Sequence, residues 1–413
     1  MPASAGRLSH VRRCRSVRIS RVDVPPPRTG LYPRPRHAAP CSGPTPPAAL
    51  RHLCAAPDAA VSEIKANSVM NPTARRQPDT TKTTTSGGNS RLKYGASAMQ
   101  GYRDTMEDAH VAFEDLDVNT NTSFFGVYDG HGGGAVAKYC AKHLHNEVLR
   151  HSEFSSNLPN ALRNAFFSLD VLLRDKKSSK ELTDYKSGYE YFRTVERSSW
   201  LTCGPCQQKS VYDGPLDEGS TACVVLIRNN QIIVGNAGDT RCVLSRNGQA
   251  TALSTDHKPN VPAETRRIEA AGGSISACRG AFRINEGIAV SRSIGDLRYK
   301  QNNNFGPELQ ALTCSPEIRF EQITDDTEFL VIACDGVWDV MSNQAVVDFV
   351  NRSIRHGGLE LPIICQNLLD EAITSRPASM DNMTVILVQF EHAGRNEEIT
   401  ESSNRRRRSS SEL

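Results

Sequence analysis

The 413-residue chain has no apolar run approaching the roughly 18 residues that a membrane-spanning helix needs, so no such span is expected. It has no marked charge imbalance either: 49 Lys and Arg stand against 46 Asp and Glu, a net charge of +3, and the composition calls for no nucleic-acid partner. A disulfide framework is also missing. The twelve cysteines are scattered singly, and Cys140, Cys223, Cys242 and Cys334 lie inside apolar runs, the habit of buried, reduced thiols. Cys203-Gly204-Pro205-Cys206 has no second CxxC and no nearby His pair, which leaves a loop with two thiols rather than a zinc site.

Acids and lysine are scarce at the N-terminus. The first 60 residues are rich in Arg and Pro, contain no Lys and carry only Asp23 and Asp58 as acids, so they cannot bury enough surface to fold. Residues 1–90 therefore read as a disordered or targeting extension. An organellar transit peptide and a translation start at Met70 both stay open, and residues 71–90, full of Thr, Ser and Gly, read as linker. The basic run Arg405-Arg406-Arg407-Arg408 beside Ser409, Ser410 and Ser411 makes 392–413 a disordered tail, and it also suits a nuclear localisation signal.

What the chain does have begins near Arg91. Leu92–Met99 alternates as a strand, and the acidic loop Arg103-Asp104-Thr105-Met106-Glu107-Asp108 follows. Ser123–Tyr128 reads as a buried strand that runs directly onto Asp129-Gly130-His131-Gly132-Gly133, and Ala135–Arg150 has helical spacing. A second helix spans 158–173, and periodicity then fails over a surface insertion from 175 to 214. From Gly219 onward, tightly joined strands at 221–227, 231–237 and 241–245 must be antiparallel. Pro262–Ala271 is helical, and Phe329–Cys334 is again a buried strand ending on Asp335-Gly336. Helices after Ser342 and from Leu361 to Thr374 lead to Asp381, directly before the last strand, Met383–Phe390. This is an α+β pattern. Three aspartates at strand ends with no His or Cys partner among them would repel one another without cations, and oxygen-only ligation points to Mg²⁺ or Mn²⁺.

The segments GYRDTMEDAH, FFGVYDGHGG, DEGSTACVV, VGNAGDTR, DHKP with ETRRIEAAGG, GIAVSRSIGD, CDGVWDVM and DNMTVILV occur in that order between Arg91 and Glu391. In this the chain resembles the protein phosphatase 2C family of metal-dependent serine/threonine phosphatases, and its plant members most. The resemblance implies a catalytic domain at 91–391 with a four-layer αββα sandwich, two antiparallel sheets flanked by helices. It implies hydrolysis of phosphoserine and phosphothreonine by a metal-bridging hydroxide, with two Mg²⁺ or Mn²⁺ ions. Asp129 would bridge both ions, the Gly130 carbonyl would join it, Asp335 and Asp381 would complete one shell, and Glu107 and Asp108 would hold metal-bound waters. Arg103 would grip the substrate phosphate and His131 would act as general acid. A third, weaker ion site of some members maps onto Asp217, Asp335 and Asp339. Asp239, Asp256 and Asp296 fall in other family motifs and read as turn or scaffold residues, and Pro262–Asp296 would include a flap beside the site.

No Cys-x5-Arg phosphate loop is present, which argues against a cysteinyl-phosphate route. The competing reading, a phosphoprotein-binding pseudophosphatase, would normally have lost a metal aspartate or the arginine, and neither is missing. The expectation is a monomer acting on phosphoproteins in the nucleus or cytoplasm, with no nucleic-acid or membrane partner, or in a chloroplast or mitochondrion if the N-terminus is a transit peptide. A fluorescent reporter fused to residues 1–90 tests the last point. Organellar signal that disappears when the fusion starts at Met70 supports a transit peptide, and signal outside organelles from both fusions removes it.

Overall fold

The computed structural model describes residues 77–186, 215–278 and 280–391, all within one compact unit. The strands of the N-terminal half are β1 (Asp79–Gly88), β2 (Leu92–Gly101), β3 (Ala109–Asp117), β4 (Thr122–Tyr128) and the two-residue β5 (Gly130–His131). Helices α1 (Ala135–Arg150), α2 (Leu158–Arg174) and α3 (Lys176–Tyr185) follow. Next come β6 (Gly219–Ser220), β7 (Ala222–Arg228), β8 (Gln231–Ala237), β9 (Arg241–Arg246), β10 (Gln249–Ala252), α4 (Pro262–Ala270), β11 (Ile275–Cys278), β12 (Ala281–Ile284) and β13 (Ile294–Gly295). The chain continues through β14 (Glu317–Gln322), β15 (Thr327–Ala333), α5 (Asp335–Trp338), α6 (Asn343–Gly357), α7 (Leu361–Thr374) and β16 (Met383–Phe390).

Two antiparallel sheets organise these elements, one of six strands in the order β1-β2-β16-β15-β9-β10 and one of five in the order β14-β8-β7-β4-β3. Period-2 alternation explains how each strand serves two cores. In β15, Leu330, Ile332 and Cys334 after it face a cluster shared with Phe125, Val127, Val225 and Val234 of the other sheet. Phe329, Val331 and Ala333 point the opposite way, onto Ile364, Leu368 and Leu369 of α7 and Val346, Val347 and Val350 of α6. The five-stranded sheet does the same: Phe124 and Tyr128 turn outward to α1 and α2, joining Val136, Leu144, Leu162 and Phe166. The result is the four-layer αββα sandwich, an α+β fold with three apolar seams.

Three sequence expectations change. Residues 79–88 are not linker but strand β1, paired with β2, so the folded domain begins about twelve residues before the expected 91. The Thr-rich composition looked unstructured, yet Thr is β-branched and suits an edge strand whose outer face stays wet. Helix α7 fastens it: Lys82 Nζ lies 2.6 Å from Asp370 Oδ1, and Gln366 Nε2 donates to Thr84 Oγ1 at 3.0 Å. Residues 109–117 form β3, which the preceding acidic loop disguised. The insertion begins as helix α3, capped by Asp175 and anchored by the fully buried Leu182. Its remainder, with Cys203 and Cys206, lies outside the described residues, as do residues 1–76 and 392–413.

The chain's third quarter contributes a small substructure with its own core of Ile268, Ile284, Ile288, Val290 and Leu312. Glu264 fixes it, pairing with Arg267 Nη1 at 2.5 Å and Arg292 Nη2 at 2.7 Å while accepting from Ser291 Oγ at 2.7 Å. Burial alone would push the Glu264 carboxyl up, but Arg292 and Arg267 outweigh it and hold the pKa at about 2. A depressed carboxyl pKa means stability that is present above the ordinary value near 4.5 and is lost as pH falls toward 2. Glu264→Ala leaves two arginines uncompensated and is expected to cost about 3–5 kcal/mol at pH 7. Urea titrations should show that gap narrowing below pH 4; a gap independent of pH would contradict this reading.

Candidate metal-dependent active site

Each acidic residue of the site hangs on a strand end. Asp129 follows β4, flanked on both sides by β3 and β7, and its N–H donates to Thr221 Oγ1 at 3.2 Å. Asp335 opens the single turn α5 after β15, Asp381 lies two residues before β16, and Asp239 sits in the turn between β8 and β9. Because these strands lie in facing sheets, their ends bring the carboxylates together.

The glycines after Asp129 and Asp335 admit the protein's own chain to the backbone. A Cβ at Gly130 would collide with the Glu107 carbonyl, and one at Gly336 with the carbonyl of Asn382. Each Asp-Gly pair therefore lets a neighbouring acidic loop close onto its aspartate. Asn382, which sequence reasoning passed over, ties the arrangement: its Oδ1 accepts from Glu107 N at 2.9 Å, and its Nδ2 donates to Gln100 O at 2.8 Å and Thr105 O at 3.0 Å.

Ligand atoms of Asp129, Asp239 and Asp335 lie within 4.8 Å of one another, and so do those of Asp108, Asp129 and Cys334. Asp129 belongs to both groups. Burial, then the charge of Asp335, pushes the Asp129 carboxyl well above its usual range, and burial with Asp239 does the same to Asp335. Asp108 is raised to about 7 by burial, against hydrogen bonds from Thr384 and Cys334. Its Oδ2 accepts from Thr384 Oγ1 at 2.7 Å, while buried Oδ1 has no hydrogen-bond partner among the described residues. Lys258, against Asp239, supplies only partial compensation. A dense set of buried carboxylate oxygens, one of them unpartnered, fits hard divalent cations. Cys334 is less apt as a ligand, because its sulfur already accepts from Thr384 N at 3.1 Å and contacts Asn382 O at 3.5 Å.

The other expected residues divide. Arg103 reaches the centre, with Nη2 2.5 Å from Asp381 Oδ2, and lines a cavity of about 460 Å³ together with Asp339, Val340, Pro377, Met380 and Asp381. Glu107 accepts from Thr105 Oγ1 at 2.9 Å. His131 Nε2 lies 2.7 Å from Asp296 Oδ2; burial lowers its pKa, but Asp296 outweighs that and holds it above the ordinary value. Asp339 is exposed at the cavity wall, its carboxyl raised by burial and by Asp239 against the pull of Lys258. Asp217 is not gathered with Asp335 and Asp339 into a third site. Arg298 holds it through two contacts of 2.5 and 2.6 Å, and it joins neither convergent group. Of the three residues taken as scaffold, Asp256 is one, pairing with Arg241 at 2.8 Å. Asp239 instead belongs to the carboxylate cluster and Asp296 to His131. Their sequence signal was only an Asp after Gly in a turn, which any turn shows.

Comparison with known proteins places this fold and site. The sequence profile of protein phosphatase 2C matches residues 92–191 and 194–383, and the chain belongs to that family. It is 68% identical over 315 residues to probable protein phosphatase 2C 42 of Oryza sativa subsp. japonica, covering 76% of this chain and 89% of that one. It is 42% identical to probable protein phosphatase 2C 60 of Arabidopsis thaliana, covering 76% and 91%. Among solved structures, a phosphatase of Toxoplasma gondii superposes with a TM-score of 0.58 at 26% identity, over 75% of this chain and 96% of that one. The protein is thus a plant-type protein serine/threonine phosphatase, a hydrolase of phosphoproteins with a metal-binding acidic centre.

Removing one carboxylate from so crowded a cluster relieves repulsion. In the presence of chelator, Asp335→Asn is expected to melt about 1–2 °C above wild type, the equivalent of ~1 kcal/mol for a domain of this size. A lower melting point in chelator would show that Asp335 is stabilised by its surroundings rather than opposed by them.

Proposed function

We propose that the chain, as a monomer, hydrolyses phosphoserine and phosphothreonine in protein substrates by direct attack of water at phosphorus, using two Mg²⁺ or Mn²⁺ ions. Asp129, the Gly130 carbonyl, Asp335 and Asp381 would hold the ions, Asp239 would join them, and Glu107 and Asp108 would hold coordinated water. The observation that carries this reading is the buried cluster of mutually repelling carboxylates around Asp129, with Asp108 Oδ1 unpartnered. When bound, such cations acidify water and neutralise charge on the phosphoryl oxygens.

The side chains supply the rest. Arg103 is half exposed at the cavity and, among the described residues, pairs with Asp381 alone, so its guanidinium can turn its fork to a dianionic phosphoryl group. The cavity beside it has room for the residue that carries the phosphate. His131, held by Asp296, stands two residues from Asp129 and is suited to giving a proton to the departing alcohol oxygen.

Hydrolysis of a phosphothreonine peptide by the full chain tests the proposal. Turnover is expected with Mn²⁺ and not with excess chelator, and Arg103→Ala should lower kcat/KM about 100-fold without rescue by Arg103→Lys. Metal-independent turnover would overturn the mechanism. A folded, metal-loaded chain that binds the peptide without turnover would mark a phosphoprotein-binding pseudophosphatase.

A further inference from the structure

We propose that Asp296 is the positioning residue for His131, fixing the imidazole through Nε2 so that Nδ1 is the atom that protonates the leaving serine or threonine oxygen. The inference rests on the phosphatase reading above and adds to it the partner and the proton-bearing atom. Its basis is a three-stranded ribbon, β13-β6-β5, that runs beside Asp129. In this ribbon His131 pairs with Gly219 and Gly219 with Gly295, the residue before Asp296. The middle position must be glycine, since a Cβ at Gly219 would collide with the Asp296 carboxylate and press on His131 Nε2. The two side chains therefore meet across a gap that only the missing Cβ provides.

Asp296 is itself held from several sides. Its side chain is 3% exposed, and Oδ2 accepts from Ser293 Oγ at 2.5 Å as well as facing His131 Nε2 at 2.7 Å. Its backbone is left-handed, at φ 49° and ψ 42°, a conformation that costs most side chains energy and that Asp tolerates better than most. Two bonds from backbone N–H groups hold it there: Asp296 N donates to Glu218 O at 2.8 Å, and the neighbouring Gly295 N donates to Asp170 Oδ1 at 2.9 Å. Lys300 Nζ, buried, bridges Asp170 Oδ2 at 2.6 Å and Ser293 O at 2.7 Å, stapling the loop to α2. A turn residue with no other task would not need a buried ion pair to hold it.

With Nε2–H given to Asp296, Nδ1 is the ring nitrogen left to carry the transferred proton. In the transfer the bond from phosphorus to the substrate oxygen breaks and its electron pair leaves on that oxygen, which takes the Nδ1 proton. Water contributes the OH that remains on phosphorus, and its second proton restores the ring through solvent. The substrate's alcohol and inorganic phosphate are the products.

The test compares two substrates whose leaving groups differ in their need for a proton, with the full chain in Mn²⁺. A phosphothreonine peptide releases an alkoxide and requires the acid; p-nitrophenyl phosphate releases a stable phenolate and does not. Asp296→Asn should lower kcat on the peptide about 100-fold, the size of a general-acid contribution, with KM little changed and a loss at least tenfold smaller on the aryl ester. In a His131→Ala background the same substitution should add little further loss, because the two act as one unit. Ser293→Ala, which keeps both members, should show the same selectivity in weaker form and serves if Asp296→Asn does not fold. Equal losses on both substrates, or additive loss with His131→Ala, would overturn the proposal. Inactivity of the wild-type chain on both substrates would instead strike the phosphatase reading itself.

Discussion

Mutual repulsion among buried carboxylates is the constraint on which this structure turns. Asp129, Asp239 and Asp335 are brought within 4.8 Å of one another at places where burial already disfavours their charge. No chain would gather them for stability alone, because unpaired buried charge opposes folding. The rest of the fold overcomes that cost through three apolar seams, between the sheets and beneath each helical layer. The sandwich is thus both the source of the stability and the device that aims the strand ends.

The aiming depends on close backbone approach as much as on side chains. Gly130 and Gly336 let the Glu107 and Asn382 segments close over the aspartates, and Asn382 stitches the 100–107 loop to the start of β16. The ribbon through β5, β6 and β13 repeats the device on the other side of Asp129, where Gly219 makes room for Asp296 and His131. Positions without a Cβ decide which polar groups can meet, and burial decides how strongly they then interact.

Much of this was legible in the sequence because the elements that carry the site have strong period. β8, α7 and β16 fall at the residues their patterns indicate, and the Asp-Gly junctions of β4 and β15 advertise themselves by ending long apolar strands. Failure came where pattern and role diverge. β1 is an edge strand of threonines with no apolar face to show, and β3 follows an acidic loop that hides its start. Asp239 and Asp296 are single acids in turns whose partners lie far along the chain, so nothing local distinguishes them from capping residues. Asp217, whose place in a motif implies a ligand, is held by Arg298, 81 residues away, a pairing no local pattern shows.

The central claim is that the Asp129 cluster is a divalent-cation centre, and equilibrium binding of Mn²⁺ to the full chain and to Asp129→Asn tests it most directly. Asp129 is the one residue shared by both convergent groups, so its loss should disable the whole centre rather than one half. The expected result is saturable binding of two ions per wild-type chain and none of comparable affinity in a folded Asp129→Asn protein. Undiminished binding in that variant, or no saturable binding by wild type, would contradict the account.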